Sequence, residues 1–205
     1  MPSHGAVAFD LPTIYTWEEF AEVDDGEEMR GVELVDGVME GGEAPTRKHG
    51  RIVTELVGVL LPWLKAHGGG ELLTQDNRVR ITRRTVRKPD IFVVRAEDGP
   101  RFAHDTLVSA PYLVIEVVTK TKRDEQRDRI TKRAEYEEIG ARSYWIVDPK
   151  ADTLEVFSLG DDGLFGEARR YEADDVVDGS EIGLEGVRFR VRDLGAEVVG
   201  GTRAG

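Results

Sequence analysis

The chain has 205 residues, no cysteine and a formal net charge of −12 at pH 7. This length can bury a core of its own, and the missing cysteine excludes disulfides, cysteine-ligated zinc and a cysteine nucleophile. The charge is uneven: residues 78–88 hold six basic and no acidic side chains, and residues 120–133 hold seven basic against three acidic. We expect a basic face, suited to a polyanion, on an acidic body; solvated strand and helix surfaces are the alternative.

The sequence carries no sign of membrane targeting. Its first residues lack a basic segment followed by an apolar run, and the longest apolar stretch, residues 57–64, is too short to cross a bilayer. We therefore predict a cytoplasmic protein with no membrane partner.

The N-terminal elements are a short helix and a hairpin. Residues 16–21 are predicted to be helical, because Thr16 can cap the N-terminus and Glu19 stands three residues further on. Residues 32–40 alternate apolar side chains around Asp36-Gly37, which is typical of a hairpin with a two-residue turn.

A long amphipathic helix is predicted over residues 46–67, where apolar side chains recur at helical spacing. Thr46 can cap this helix and Gly68 can end it. Pro62 lies within the helix and is expected to kink or interrupt it.

Strand-like segments follow, and the two later ones are almost continuously apolar, as expected for strands covered on both faces. They are residues 71–74, 78–82, 90–94 and 112–118. A charged helix is predicted over residues 122–139, then a buried strand at 143–147 and an exposed strand at 153–158. This order predicts an α/β fold, with a central mixed β-sheet flanked by helices and an N-terminal hairpin.

Two carboxylates stand out within the apolar strands. Asp90 opens one strand directly after Pro89, and Glu116 lies in the middle of another. A carboxylate in such a strand is costly to bury unless it is paired, hydrogen-bonded or bound to a metal. A site for a hard cation such as Mg²⁺ is one explanation. In the alternative, Asp90 caps a turn and Glu116 pairs with an arginine at the sheet edge.

Four sequence segments together resemble a known family. They are VELVDGVME, KPDIFVV, LVIEVVTK and RDRITKRAEYEEIGARSYWIVDP. In this order and spacing they resemble the Uma-two family, a branch of the PD-(D/E)XK nuclease superfamily. The resemblance implies a restriction-endonuclease-like nuclease domain over residues 16–160. Residues 161–205 are expected to form a C-terminal β appendage and a flexible tail of the same domain.

The resemblance also implies a metal site. Asp90 and Glu116 match the two metal-binding carboxylates, and the backbone carbonyl of Val117 matches the third protein oxygen. Glu33 matches an acidic residue of the hairpin and is expected to complete the metal shell. His49 stands where the family tends to have a histidine opening the long helix; a surface histidine is the alternative. The expected cation is Mg²⁺, with Mn²⁺ as a substitute.

The catalytic lysine is ambiguous in this sequence. The superfamily places it two residues after the glutamate, where this chain has Val118. Lys132 on the following helix matches the lysine of this branch. Lys120 is a rival, because it lies on the same strand face as Glu116. Either lysine would orient the attacking water or stabilise negative charge on the phosphate.

The function that the resemblance implies is metal-dependent hydrolysis of DNA phosphodiester bonds by an endonuclease. Many enzymes that cut duplex DNA act as dimers, so a homodimer is expected. A non-catalytic nuclease-fold module that binds nucleic acid or a protein partner is the alternative, favoured by the acidic body and by Val118. A small-molecule hydrolase or a structural protein is the third reading, because fold does not fix function.

Overall fold

A computed structural model describes residues 13–23, 29–41, 45–118 and 127–196 of the chain. Residues 197–205, the last part of the predicted appendage and tail, and the candidate Lys120 lie outside these ranges. Within them, no helix combines the length and the apolarity needed to cross a bilayer.

The N-terminal helix α1 spans Trp17–Val23 and has the predicted capping box. The Thr16 N–H donates to Glu19 Oε2 at 2.8 Å, and the Glu19 N–H donates to Thr16 Oγ1 at 3.3 Å. This exchange satisfies two backbone donors that the first turn would otherwise leave without partners.

The predicted hairpin is confirmed. Strand β1, Val32–Val35, pairs antiparallel with β2, Val38–Gly41. The two turn residues, Asp36 and Gly37, have φ values of 50° and 88°. Positive φ at both central positions is the geometry that suits the twist of a two-residue hairpin, and it favours the Asp-Gly pair found here.

Helix α2 spans Arg47–Ala66 and begins at Thr46, whose side chain accepts the His49 N–H. Its buried face consists of His49, Ile52, Leu56, Leu60, Trp63 and Leu64. Pro62 does not interrupt the helix, which continues through that residue to Ala66, and the predicted kink stays a prediction. Trp63 and Leu64 pack into the core immediately after the proline and offset the backbone hydrogen bond that proline cannot make.

The described strands form two six-stranded sheets and one two-stranded sheet. The strands after the hairpin are β3 Gly70–Thr74, β4 Arg78–Thr82, β5 Thr85–Arg87, β6 Ile91–Arg95, β7 Phe102–Ala103, β8 Thr106–Leu107, β9 Leu113–Val117, β10 Ser143–Asp148, β11 Thr153–Ser158, β12 Arg169–Tyr171, β13 Val176–Asp178 and β14 Arg188–Arg190. Strands β13 and β14 form the two-stranded sheet. The central sheet has the order β12-β11-β10-β9-β6-β3, and the second sheet has the order β2-β1-β5-β4-β8-β7. Only β9 and β10 run parallel in the central sheet, and all its other pairs are antiparallel, so the predicted mixed sheet is confirmed.

The predicted charged helix is described from residue 127 onward; residues 122–126 lie outside the described ranges. It begins with a π-helical segment, Arg127–Lys132, and continues as α3, Arg133–Glu138. Gly140 follows with φ 77°, the left-handed conformation that commonly ends a helix. Single π-helical turns occur frequently at functional sites.

The central sheet is buried on both faces. One face packs against α2 and the C-terminal segment, residues 171–194, while the other packs against α3 and the second sheet. The side chains of β9 alternate between these faces, so Val114 and Val118 join the core that contains Tyr136. Glu116 lies between them in the same alternation and therefore points towards α3.

Strand β11 differs from the prediction of an exposed strand. Five of its six residues, Thr153 to Phe157, are buried. The strand lies between β10 and β12 in the sheet, and apolar side chains of the C-terminal segment, including Tyr171 and Val177, join Leu154 and Val156 in one core. The alternation of side chains could not reveal this cover, because the residues that provide it follow much later in the chain.

Candidate active site

The two predicted metal carboxylates lie opposite each other on neighbouring strands. The antiparallel register pairs Ile91 with Ile115, so Asp90, one residue before β6, faces Glu116 on β9. Both side chains point to the face that contains Phe92 and Val114. Asp90 and Glu116 line the same cavity of about 480 Å³, as do Val117, His49, Glu33 and Lys132.

Asp90 is held by a donor on each carboxylate oxygen. Its Oδ2 accepts the Val117 N–H at 2.7 Å, and its Oδ1 lies 2.9 Å from His49 Nε2. His49 comes from the first turn of α2 and is only 4% exposed, so the alternative of a surface histidine is wrong. The first turn of α2 thus places the His49 imidazole against the Asp90 carboxylate and orients that carboxylate.

Glu116 is buried and shares one oxygen between two donors. Its Oε1 accepts from Lys132 Nζ at 2.9 Å and from the Tyr136 hydroxyl at 2.9 Å. Burial raises the pKa of Glu116 to about 8; Lys132 opposes this rise, and the neighbouring carboxylates Asp128 and Asp90 add to it. The partners of Glu116 are therefore a lysine and a tyrosine rather than the arginine of the alternative reading.

Lys132 brings its ammonium into a cage of three carboxylates. Its Nζ lies 2.9 Å from Glu116 Oε1, 3.3 Å from Glu33 Oε1 and 3.8 Å from Asp128 Oδ1. Burial disfavours the charged form, but these carboxylates outweigh it and raise the pKa of Lys132 above its ordinary value. The side chain is a fixed positive charge beside Glu116.

Glu33 on β1 uses both oxygens to bind protein donors. Its Oε2 accepts from Arg87 Nη1 at 3.0 Å, while its Oε1 accepts the Lys88 N–H at 3.0 Å and contacts Lys132. Burial raises the pKa of Glu33, but Lys132 and Arg87 outweigh it and lower the pKa to about 2. The predicted role of Glu33 in the metal shell stays a prediction; the structure places its carboxylate on the cations beside the cavity.

The strongly basic segment of residues 78–88 does not form the continuous phosphate-binding face that its composition suggests. Arg78 donates to the His104 carbonyl at 2.8 Å, and Arg87 is 1% exposed and bound to carboxylates. Arg83 and Arg84 remain exposed on the turn between β4 and β5. Composition shows the charge of a side chain but not whether a buried carbonyl or carboxylate binds it.

Besides the residues that were assigned a role from the sequence, the site contains Arg87, Asp128 and Tyr136. Tyr136 follows Lys132 by one helical turn, so its spacing was a usable signal. Arg87 gave no such signal, because its partners Glu33 and Glu135 are 54 and 48 residues away in the chain.

The donor set fits a hard divalent cation. Asp90, Glu116 and the Val117 carbonyl offer oxygen, which Mg²⁺ prefers, and Mg²⁺ usually keeps several waters and needs few protein ligands. In the part of the chain that the structure describes, no three histidine or carboxylate side chains are grouped to hold a metal ion, so a site here must use the carbonyl and water as well. Burial, and repulsion from the neighbouring carboxylates, raise the pKa of Glu116, and a bound cation would relieve that repulsion.

Comparison with known proteins gives a family and a fold. The model of the family Uma2, described as "Putative restriction endonuclease", matches residues 17–192. A crystal structure described as a "putative nuclease belonging to DUF820", from Anabaena variabilis ATCC 29413, superposes with a TM-score of 0.67 at 20% sequence identity. The match covers 88% of this chain and 97% of that one. No curated protein matches the sequence.

Proposed function

Because the chain belongs to the Uma2 (Uma-two) family and has a nuclease fold, we propose that it is a metal-dependent endonuclease that hydrolyses DNA phosphodiester bonds. One observation carries the proposal: Asp90 and Glu116 face each other across neighbouring strands, with the Lys132 ammonium bound to Glu116. Two carboxylates at a cavity wall can hold a cation, and a lysine beside them can stabilise the negative charge that develops during hydrolysis of a phosphodiester.

The cation would be held by Asp90, Glu116 and the Val117 carbonyl, with Mn²⁺ able to replace Mg²⁺. When bound, it supplies Lewis acidity towards the phosphate and lowers the pKa of a water ligand. The protein prepares for it by orienting both carboxylates. His49 and the Val117 N–H fix Asp90, and Tyr136 fixes Glu116.

Lys132 is proposed as an electrostatic catalyst. Its ammonium keeps its charge, because the surrounding carboxylates raise its pKa, so it is unsuited to act as a general base. A fixed cation can stabilise the negative charge that develops on the phosphate oxygens in the transition state. The rival Lys120 follows the Glu116 strand, outside the described residues, and the comparison of the two lysines rests on mutagenesis.

The proposal of DNA as substrate is supported by the family's description, "Putative restriction endonuclease". The non-catalytic module stays the second candidate, favoured by the burial of Arg78 and Arg87. This burial removes cations from the surface of a chain whose net charge is already −12. Phosphate neutralisation dominates nucleic-acid binding, so a reduced basic face weakens binding unless a metal contributes charge.

Cleavage of supercoiled plasmid in the presence of Mg²⁺ or Mn²⁺ tests the proposal. The wild type should nick or linearise the plasmid, and chelation of the metal should abolish the reaction. Asp90→Ala should be inactive, whereas the exposed-carboxylate control Asp161→Asn should match the wild type. DNA binding without metal-dependent cleavage would reject the enzyme and favour the module.

A further inference from the structure

Arg87 is a buried cation that none of the proposed catalytic steps uses. It lies at the end of β5 in the second sheet and is 1% exposed. Its Nε and Nη2 donate to the two oxygens of Glu135 at 2.7 Å each, and its Nη1 donates to Glu33 at 3.0 Å. The guanidinium therefore joins two carboxylates that come from different parts of the chain.

Both partners of Arg87 lead to Lys132. Glu33 accepts from Arg87 with one oxygen and contacts Lys132 Nζ at 3.3 Å with the other. Glu135 lies on α3, three residues after Lys132, so its bond to Arg87 fixes the helix that carries the lysine. The Arg87 guanidinium thus acts on the Lys132 ammonium through Glu33. It acts on the Lys132 backbone through Glu135 and the helix that carries both residues.

The geometry requires an arginine. Two parallel N–H bonds to Glu135 and a third bond to Glu33 use the planar fork of the guanidinium, which a lysine ammonium cannot reproduce. A buried cation is costly unless its donors are paired, and this one is paired with Glu33, which contacts Lys132, and with Glu135, which lies on the helix after Lys132. Simple packing would be served as well by an apolar side chain of similar volume.

We propose that Arg87 is a positioning residue that holds the Lys132 ammonium at Glu116 through Glu33 and Glu135. This inference rests on the proposed function, in which Lys132 acts on the phosphate. It assigns Glu33 to the support of the lysine rather than to the metal shell. Mg²⁺ affinity should therefore change little when Arg87 or Glu33 is altered, while turnover falls.

The test is a double-mutant cycle on the single-turnover cleavage rate constant at saturating DNA. Arg87→Met should lower this constant by about 10–100-fold, the range typical of residues that orient catalytic groups. In a Lys132→Met background the same change should cost less than about 2-fold, because the group on which Arg87 acts is gone. A rate constant is independent of the folded fraction, so loss of stability alone would leave it unchanged. Equal losses in both backgrounds would overturn the inference.

Two further variants cover the case in which Arg87→Met does not fold. Arg87→Lys keeps the charge without the fork, and Glu33→Gln keeps the shape without the charge. Both should lower the rate constant and leave the calorimetric Mg²⁺ affinity within about 2-fold of the wild type. A wild-type rate in both variants would overturn the inference. Arg83→Met, an exposed arginine on the preceding turn, is the control and should behave as wild type.

A readout that needs no cleavage separates this inference from the proposed function. In ¹⁵N-lysine-labelled protein, a buried, hydrogen-bonded Lys132 ammonium should give a slowly exchanging signal, identified by its loss in Lys132→Met. Arg87→Lys should remove or broaden that signal, and Arg83→Met should preserve it. If the wild type cleaves no DNA, the proposed function fails while this measurement still decides the role of Arg87. An unchanged signal in Arg87→Lys would contradict it.

Discussion

Glu33 and Glu116 are both buried glutamates that contact Lys132, but their other partners differ. Glu33, on the second sheet, has Arg87, Lys132 and the Lys88 N–H as partners, and its pKa falls to about 2. Glu116, on the central sheet, has Lys132 and the Tyr136 hydroxyl, and its pKa rises to about 8.

The two glutamates differ in how far cations of the protein compensate their negative charge. Glu33 is matched by cations of the protein and needs no further partner. Glu116 shares a single cation with Glu33 and Asp128 and faces Asp90 as well. A divalent cation would therefore stabilise Asp90 and Glu116, at the central sheet, more than it would stabilise Glu33 on the hairpin.

The largest expected effect is the loss of stability when Arg87, a cation that compensates Glu33, is removed. Arg87→Met removes the guanidinium that binds Glu33 and the half-buried Glu135, and loss of one partner of a buried pair typically costs about 3–5 kcal/mol. Urea denaturation should show this loss, whereas exposed Arg83→Met should stay within about 0.5 kcal/mol of the wild type. A small effect of Arg87→Met would mean that Glu33 does not depend on Arg87.

The next effect is catalytic. Lys132→Ala should lower the single-turnover cleavage rate at saturating DNA by about 10²–10³-fold, as does the loss of a transition-state donor in other enzymes. Lys120→Ala should have a much smaller effect, mainly on DNA binding. Loss of cleavage in Lys120→Ala with normal cleavage in Lys132→Ala would place the catalytic lysine after the strand instead.

The pH dependence of metal-free stability should have opposite signs for the two glutamates. Glu33 has a lowered pKa, so its contribution is present above pH 4.5 and is lost as the pH falls towards about 2. Glu116 has a raised pKa, so the folded state keeps a proton that the unfolded state has lost between pH 4.5 and about 8. Its contribution is therefore present below pH 4.5 and is lost as the pH rises through that range.

Urea denaturation of Glu33→Gln and Glu116→Gln across this pH range, without metal, measures the two signs. The deficit of Glu33→Gln relative to the wild type should shrink in acid. Glu116→Gln should become more stable relative to the wild type as the pH rises. Parallel curves for the two variants would show that both carboxylates are compensated alike.

The smallest effect is expected at Tyr136, whose hydroxyl donates to Glu116 at 2.9 Å. Tyr136→Phe keeps the packing of the ring and removes this bond, which should cost about 1 kcal/mol in urea denaturation. A gain in stability would show that the hydroxyl is not a partner of Glu116.

The sequence was sufficient for features that depend on neighbours in the chain. Asp36-Gly37 predicted the hairpin turn, the apolar spacing predicted α2, and Glu116 was conspicuous inside an apolar strand. Each of these signals is local, because turn conformation and helical or strand periodicity are set over a few residues.

Other features depend on residues far apart in the chain. The burial of β11 needs the C-terminal segment, and the role of Arg87 needs Glu33 and Glu135. Strands of two or three residues, such as β7 and β8, are too short to show a periodicity. The homodimer, the cytoplasmic location, the domain limits and the Mg²⁺ site itself stay predictions.

The proposed metal site can be tested with a crystal soaked in Mn²⁺ and measured for anomalous scattering. We expect a single strong peak between the Asp90 and Glu116 carboxylates, within bonding distance of the Val117 carbonyl, and no peak at Glu33. The same soak of Asp90→Asn crystals should lose the peak. A peak at Glu33 would contradict the proposed metal site. So would the absence of a peak between Asp90 and Glu116 in crystals in which Lys132 stays bound to Glu116.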